Sequence, residues 1–338
     1  MIVSRSLSTA ACLPKSGLAA LLLLSSLPVS LRAQISTPQA TLIENAIGAR
    51  VEAMTILGGD FGLSDGNFHS TGALRPGRTA NVDTSVTKLG GDGDVGDPRS
   101  LGDLNIGWQP RLQGNMGYLE SSNHLRASPL AGDTSELRTF AIEFGGGARF
   151  WTSDALSFAP TVMVLYGRTD DSYSPQTAFG RQNLPELRRL GLVDWSVDTW
   201  TLRPALNVQY IVALDRALIT ISSDPTGFFT HGFNRSNVNV RVGGDSGFVT
   251  NTIDLDIPLG IEIYGHEVRS GGYLSRTDLL GDLRTGLDVE HLNELHGRLV
   301  LDFLDQLWKV QWLGLGASYI WGTNITGWTV GADVAFRF

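Results

Sequence analysis

Apolar and polar residues alternate with a period of two over unusually long stretches of this chain. From Trp328 onward, Trp328, Val330, Ala332, Val334, Phe336 and Phe338 share one face, and Thr329, Gly331, Asp333, Ala335 and Arg337 share the other. Trp200, Leu202, Leu206, Val208, Tyr210 and Val212 alternate in the same way with Thr201, Arg203, Ala205, Asn207 and Gln209. So do Ile253, Leu255, Ile257, Leu259, Ile261 and Ile263 against Asp254, Asp256 and Glu262. Side chains of a strand point to opposite faces in turn, so each stretch predicts a β-strand with one apolar and one polar face.

The lengths of these stretches narrow the fold class. Strands of soluble sandwiches usually run about five or six residues, whereas a tilted strand needs about 9–11 to cross a bilayer. Phe150, Phe158, Tyr166, Trp200, Tyr210, Tyr319 and Trp321 fall near strand ends, as interfacial aromatic girdles require. Strands are predicted near 102–120, 135–151, 155–169, 198–214, 217–230, 247–265, 271–279, 295–304, 308–321 and 325–338. The connectors between them alternate long and short through the first eight. Long external loops and short periplasmic turns are the mark of an outer-membrane barrel, with the C-terminus in the periplasm. The pattern therefore predicts an all-β, transmembrane, antiparallel up-and-down β-barrel over 102–338.

Residues 34–101 are harder to read. Thr41-Leu-Ile-Glu44 matches a capping box, and Ile43, Ile47 and Val51 recur at helical spacing, so 41–57 reads as an amphipathic helix lying in the lumen. Its second half, with Val51, Ala53, Thr55 and Leu57, alternates as a strand would. Val82, Thr84 and Val86 suggest a further strand. Two strands from this region would make twelve; the alternative is ten and a helical plug. Pro110, Pro160, Pro204 and Pro258 lie inside predicted strands, where each removes a ladder hydrogen bond; local bulges are the expected remedy.

Composition adds an address. Arg5 and Lys15, the apolar run Leu18–Leu24 and the small residues before Gln34 read as a cleavable secretory signal over 1–33. The remainder has no cysteine, no run of 18 apolar residues, and 23 basic against 34 acidic residues. That excludes disulfides and a transmembrane helix as its framework, and argues against nucleic acid as a partner.

The final segment, Gly327-Trp-Thr-Val-Gly-Ala-Asp-Val-Ala-Phe-Arg-Phe338, resembles the recognition signal that outer-membrane proteins present to their assembly machinery. Trp328, Val334, Phe336 and Phe338 carry that likeness. With the strand count and the strand Phe158–Gly167, the chain resembles autotransporter β-domains, and in particular solitary barrels without a passenger. The resemblance implies a bacterial outer-membrane location. It also implies the barrel-assembly machinery, periplasmic chaperones, membrane lipid and lipopolysaccharide as partners. The 68 residues of 34–101 are too few for a secreted passenger, so passenger secretion is not expected.

Alternation places Arg111, Arg203, Asp254, Asp256 and Glu262 in the lumen, together with Arg149, Arg298 and Arg337. Inward charges are expected to pair. Asp254 and Asp256 raise the alternative of acid–base hydrolysis. His69 and Ser70 are adjacent, so in a strand they face opposite ways and form no nucleophile–base pair. Gly90–Asp97, with three carboxylates, reads as a flexible turn, a weak candidate for Ca²⁺. No catalytic residue, resident metal or cofactor is expected. The expected function is a structural barrel or small-solute pore. The alternatives are surface binding through external loops, such as 170–197 with Pro185–Gly191, and hydrolysis.

Overall fold

A computed structural model describes residues 62–70, 81–101, 106–124, 132–307 and 310–336, with residues 49, 51–53, 55 and 57. The predicted signal segment over 1–33, Arg337 and Phe338 lie outside these residues. Thirteen strands form one antiparallel sheet: β1 (Leu63–Ser70), β2 (Asn81–Asp94), β3 (Arg99–Ser100), β4 (Gly107–His124), β5 (Thr134–Trp151), β6 (Leu156–Ser174), β7 (Ser196–Leu214), β8 (Ala217–Phe233), β9 (Gly243–Ile263), β10 (His266–Leu280), β11 (His291–Leu307), β12 (Val310–Gly322) and β13 (Ile325–Phe336). Consecutive strands pair except β2 and β3, which both pair with β4, and β1 pairs with β13, so the sheet closes on itself. β2 and the two-residue β3 occupy one wall position: β2 pairs with β4 down to Asp94↔Arg111, and β3 resumes at Arg99↔Trp108. The wall is therefore a closed barrel of twelve strands. Two short helices, α1 (Ala178–Arg189) and α2 (Gly281–Leu287), sit in the external connections. No helix among the described residues is long and apolar enough to cross a membrane.

The outward face shows where the bilayer lies. On β6, Leu156, Val162 and Val164 are exposed apolar residues. The exposed pair Arg168 and Asp170 follows Tyr166. From residue 156 to 166 the rise is roughly 33 Å along the strand, or about 23 Å normal to the membrane at a 45° tilt, which matches the apolar band of such barrels. Beyond it, the strands project outward as a collar of paired charges, Arg138 with Glu136 on β5 and Arg276 with Asp278 on β10. Aromatic pairs bound the band: Phe150 stacks on Phe158 at 5.1 Å on the periplasmic side, and Trp200 on Phe233 at 6.2 Å on the external side.

The prolines coincide with breaks in the ladder. Pro160 falls where β5–β6 pairing jumps from Gly147↔Thr161 to Phe150↔Phe158. Pro204 falls in the gap between Leu202↔Phe229 and Ala205↔Thr226, and Pro225 in the next gap, before Val208↔Ser223. Pro258 borders the β9–β10 register shift, where Gly260 has a φ of 66°. Pro110 faces the interruption between β2 and β3, where its carbonyl accepts from Val95 N at 2.7 Å. A residue's N–H and C=O point to the same side of a strand, so the donor that Pro110 lacks faces that break. The missing bonds are thus placed where the sheet bends.

The helical expectation for 41–57 is met where it is described: residues 49, 51–53 and 55 are helical and Leu57 is in a turn, so the strand reading of Val51–Leu57 is set aside. The first wall strand is instead Leu63–Ser70.

Candidate functional site in the lumen

The lumen has two halves of different chemistry. In the external half, Ala49, Val51, Ala53 and Leu57 pack against inward residues of the wall, among them Phe68, Val86, Leu119, Leu165, Phe228 and Ile320. Leu283 of α2 and Val289 complete this cluster. A water-filled channel has a polar interior; here the interior is an apolar core around a helix. Val51 is fully buried, and burying a side chain of that kind contributes about 1.5–3 kcal/mol. Gly167 makes room for it, since a Cβ at that position would lie 2.7 Å from Val51 Cγ1.

Glu52 anchors the same helix to the wall. It is 2% exposed. Thr230 Oγ1 donates to Glu52 Oε1 at 2.6 Å, and Ser246 Oγ donates to Oε2. Thr201 Oγ1 lies 2.9 Å from Thr230 Oγ1, which extends the chain of hydroxyls along the wall. Among the described residues Glu52 has no ion-pair partner. A buried carboxyl without a cation depends on such donors.

Below the helix is a polar cavity of about 780 Å³, lined by Lys88, Gln113, Asn115, Thr161, Gln209 and other inward residues. Asp302 and Trp312, toward the periplasmic ends of their strands, line its lower part. Its charges are paired. Arg111 contacts both Asp92 and Asp94, the latter at 3.1 Å, and Arg149 reaches Asp94 at 3.5 Å. Arg203 Nε meets Glu143 Oε1 at 2.6 Å, both side chains being at most 9% exposed. Arg298 lies 2.8 Å from Asp254, Arg269 lies 3.0 Å from Asp256, and Asn207 donates to Asp224 at 2.7 Å.

Arg111, Arg203, Asp254 and Asp256 thus face the lumen, each with a counter-charge of its own. Asp254 and Asp256 turn to different arginines, which favours pairing over a shared acid–base site. Glu262 does not join them. It lies beyond the Pro258–Gly260 bulge, exposed beside the turn at Tyr264–Gly265. The flexible-turn reading of Gly90–Asp97 is also corrected: 90–94 continue β2, and Asp92 and Asp94 hold Arg111 because alternation turns them inward. His69 Nδ1 contacts Asp83 Oδ1 at 2.8 Å on the outer face, while Ser70 is buried on the inner one. Trp328 is 47% exposed toward lipid. Val334 and Phe336 pair in backbone register with Leu313 and Val310.

One important residue had no sequence signal. Asp133 precedes β5, is fully buried, and holds the loop that enters α1. Oδ1 accepts from Gln176 N and Thr177 N, both at 2.6 Å; Oδ2 accepts from Tyr173 Oη at 2.5 Å and Thr177 Oγ1 at 3.0 Å. Thr177 in turn caps α1 by accepting from Gly180 N. Burial pushes the Asp133 carboxyl up, but the bonds from Tyr173, Thr177 and Gln176 outweigh it and hold the group below the ordinary aspartate range. A depressed carboxylate contributes stability that is present above its unfolded value and lost as pH falls through its folded one. Limited proteolysis of the α1 loop should therefore be unchanged between neutral pH and about pH 5. It should accelerate below the ordinary aspartate range, whereas Asp133→Ala should be cut readily even at neutral pH.

Comparison with known proteins places these features. The family model described as the solitary outer membrane autotransporter beta-barrel domain matches residues 99–331. Among solved structures, the transport unit of the autotransporter AIDA-I from Escherichia coli aligns with a TM-score of 0.55 at 11% identity, covering 87% of this chain and 99% of that one. The translocator domain of NalP from Neisseria meningitidis aligns at 0.49 and 12%, covering 88% and 99%. The β-domain of the Bordetella autotransporter BrkA aligns at 0.48 and 15%, covering 82% and 99%. No curated protein matches by sequence.

Proposed function

This chain belongs to the solitary outer-membrane autotransporter β-barrel family, and from that premise we propose that it is a plugged barrel of the bacterial outer membrane: a structural element at rest, and a small-solute pore only when its N-terminal helix leaves the lumen. The observation that carries this reading is the burial of Val51, Glu52 and Ala53 inside the external half of the barrel. In that half the helix is packed into an apolar core, whereas the periplasmic half holds a polar cavity. A conduit closed at one end passes nothing, and a barrel with paired lumenal charges can take up polar solutes once opened. Single-channel recording in planar bilayers is the test. The intact chain should be silent for long periods, and release of the helix should produce discrete conductance steps. Continuous conductance by the intact chain would contradict the plugged state.

A further inference from the structure

The external loops carry a charge pattern that the pore reading does not use. The whole chain has a net charge of −8. Yet residues 175–195 and 234–242 contain five arginines, Arg181, Arg188, Arg189, Arg235 and Arg241, against two carboxylates, Glu186 and Asp194. All five arginines are exposed.

The fold brings these two segments together. Asn237 Nδ2 donates to Arg188 O at 2.6 Å and Asn239 Nδ2 to Arg189 O at 3.0 Å, so the 234–242 loop caps the end of α1. Leu187, Val193 and Tyr173 form an apolar base beneath α1, and Trp195, Val240 and Val242 form another beside it. The arginines therefore stand on a fixed platform. Arg181 and Arg188 are seven residues apart, which puts them on one helix face about 10 Å from each other. Arg188 pairs with Asp194 and Arg189 with Glu186. Arg181, Arg235 and Arg241 have no ion-pair partner among the described residues; Arg181 and Arg235 donate only to backbone carbonyls.

We infer that this platform is a docking surface for an acidic, carboxylate-bearing polysaccharide at the cell exterior. Guanidinium groups match carboxylates in bidentate geometry. Cations spread over an open surface, rather than converging on a pocket, suit a chain of repeated anions. The outer-leaflet phosphates are a poorer match. At the lipid-facing collar, Arg138, Arg168 and Arg276 are each already paired with an acidic residue two positions away.

The test uses the full chain in lipid nanodiscs over immobilised polygalacturonate, with neutral dextran and lipopolysaccharide vesicles as the other arms. Binding to polygalacturonate alone, weakening steeply with salt, is the expected result. Arg235→Ala with Arg241→Ala removes two groups that hold no carboxylate, and should weaken it about tenfold or more; the double lysine variant should recover part of the loss. The urea midpoint of the alanine variant should match that of the original chain. Equal binding to dextran, binding only to lipopolysaccharide vesicles, or undiminished binding by the alanine variant would overturn the inference.

Discussion

Replacing residues 49–57 by a Gly/Ser segment of equal length should turn a silent barrel into a conducting one. The substitution removes Val51 and Leu57 from the apolar core and Glu52 from its hydroxyl donors. It leaves all twelve wall positions intact. Loss of even ~3 kcal/mol of burial shifts the open-to-closed ratio about a hundredfold. A single change should act in the same direction. Val51→Asp puts a second carboxylate beside Glu52 in a site with no cation among the described residues, at a cost of several kcal/mol. Its recordings should show frequent openings, with folding of the wall checked by resistance to detergent. If both variants remained as silent as the original chain, the lumen would be closed by something other than this helix.

The second large effect is expected at Arg203. Its partner Glu143 has a side chain only 1% exposed, and it also accepts from Asn115 Nδ2 at 3.0 Å. Arg203→Ala leaves that carboxylate without its counter-charge, which for a buried pair costs about 3–5 kcal/mol. Because Arg203 also lines the polar cavity, water can reach the vacated space, so the lower end of that range is expected. Replacing both partners, Glu143→Met with Arg203→Met, should cost less than the single change, since no charge is stranded. Urea unfolding followed by tryptophan fluorescence would measure both. A loss within about 0.5 kcal/mol for Arg203→Ala would mean that the pair is hydrated like a surface one.

The two regions just considered differ in how far they could be read from sequence. The wall from β4 to β13 was legible because its outward face meets lipid. Runs such as Ile253–Ile263 must be apolar at every second position, and Arg203, Asp254 and Asp256 then fall inward. β1 is hard to read from sequence because its pattern is inverted. Its buried face carries Phe68 and small residues against the plug, while Asp65, Asn67 and His69 face outward. Asp65 and His69 are held across the sheet by Thr87 and Asp83. Glu262 departs from the lumenal expectation because alternation alone does not show how far a strand continues past a bulge. The helical period of 41–57 pointed to a helix, but its seat required partners such as Gly167 and Thr230, more than a hundred residues away. Asp133 was invisible for the same reason: its value lies in four donors brought to it from residues 173–177.

That the segment around Val51 lies inside the barrel against β6 is tested most directly by one cross-link. The sole native cysteine, Cys12, lies in the predicted signal segment, so Val51→Cys with Gly167→Cys adds one defined pair to the barrel. A Cβ at Gly167 would fall 2.7 Å from Val51 Cγ1, close to the spacing that a disulfide needs. In outer membranes isolated without reductant, the pair should oxidise to completion and resist thiol labelling. A control that combines Val51→Cys with Leu274→Cys, on the outward face of β10, should form no such bond. Free labelling of both thiols at positions 51 and 167 would contradict the plugged barrel.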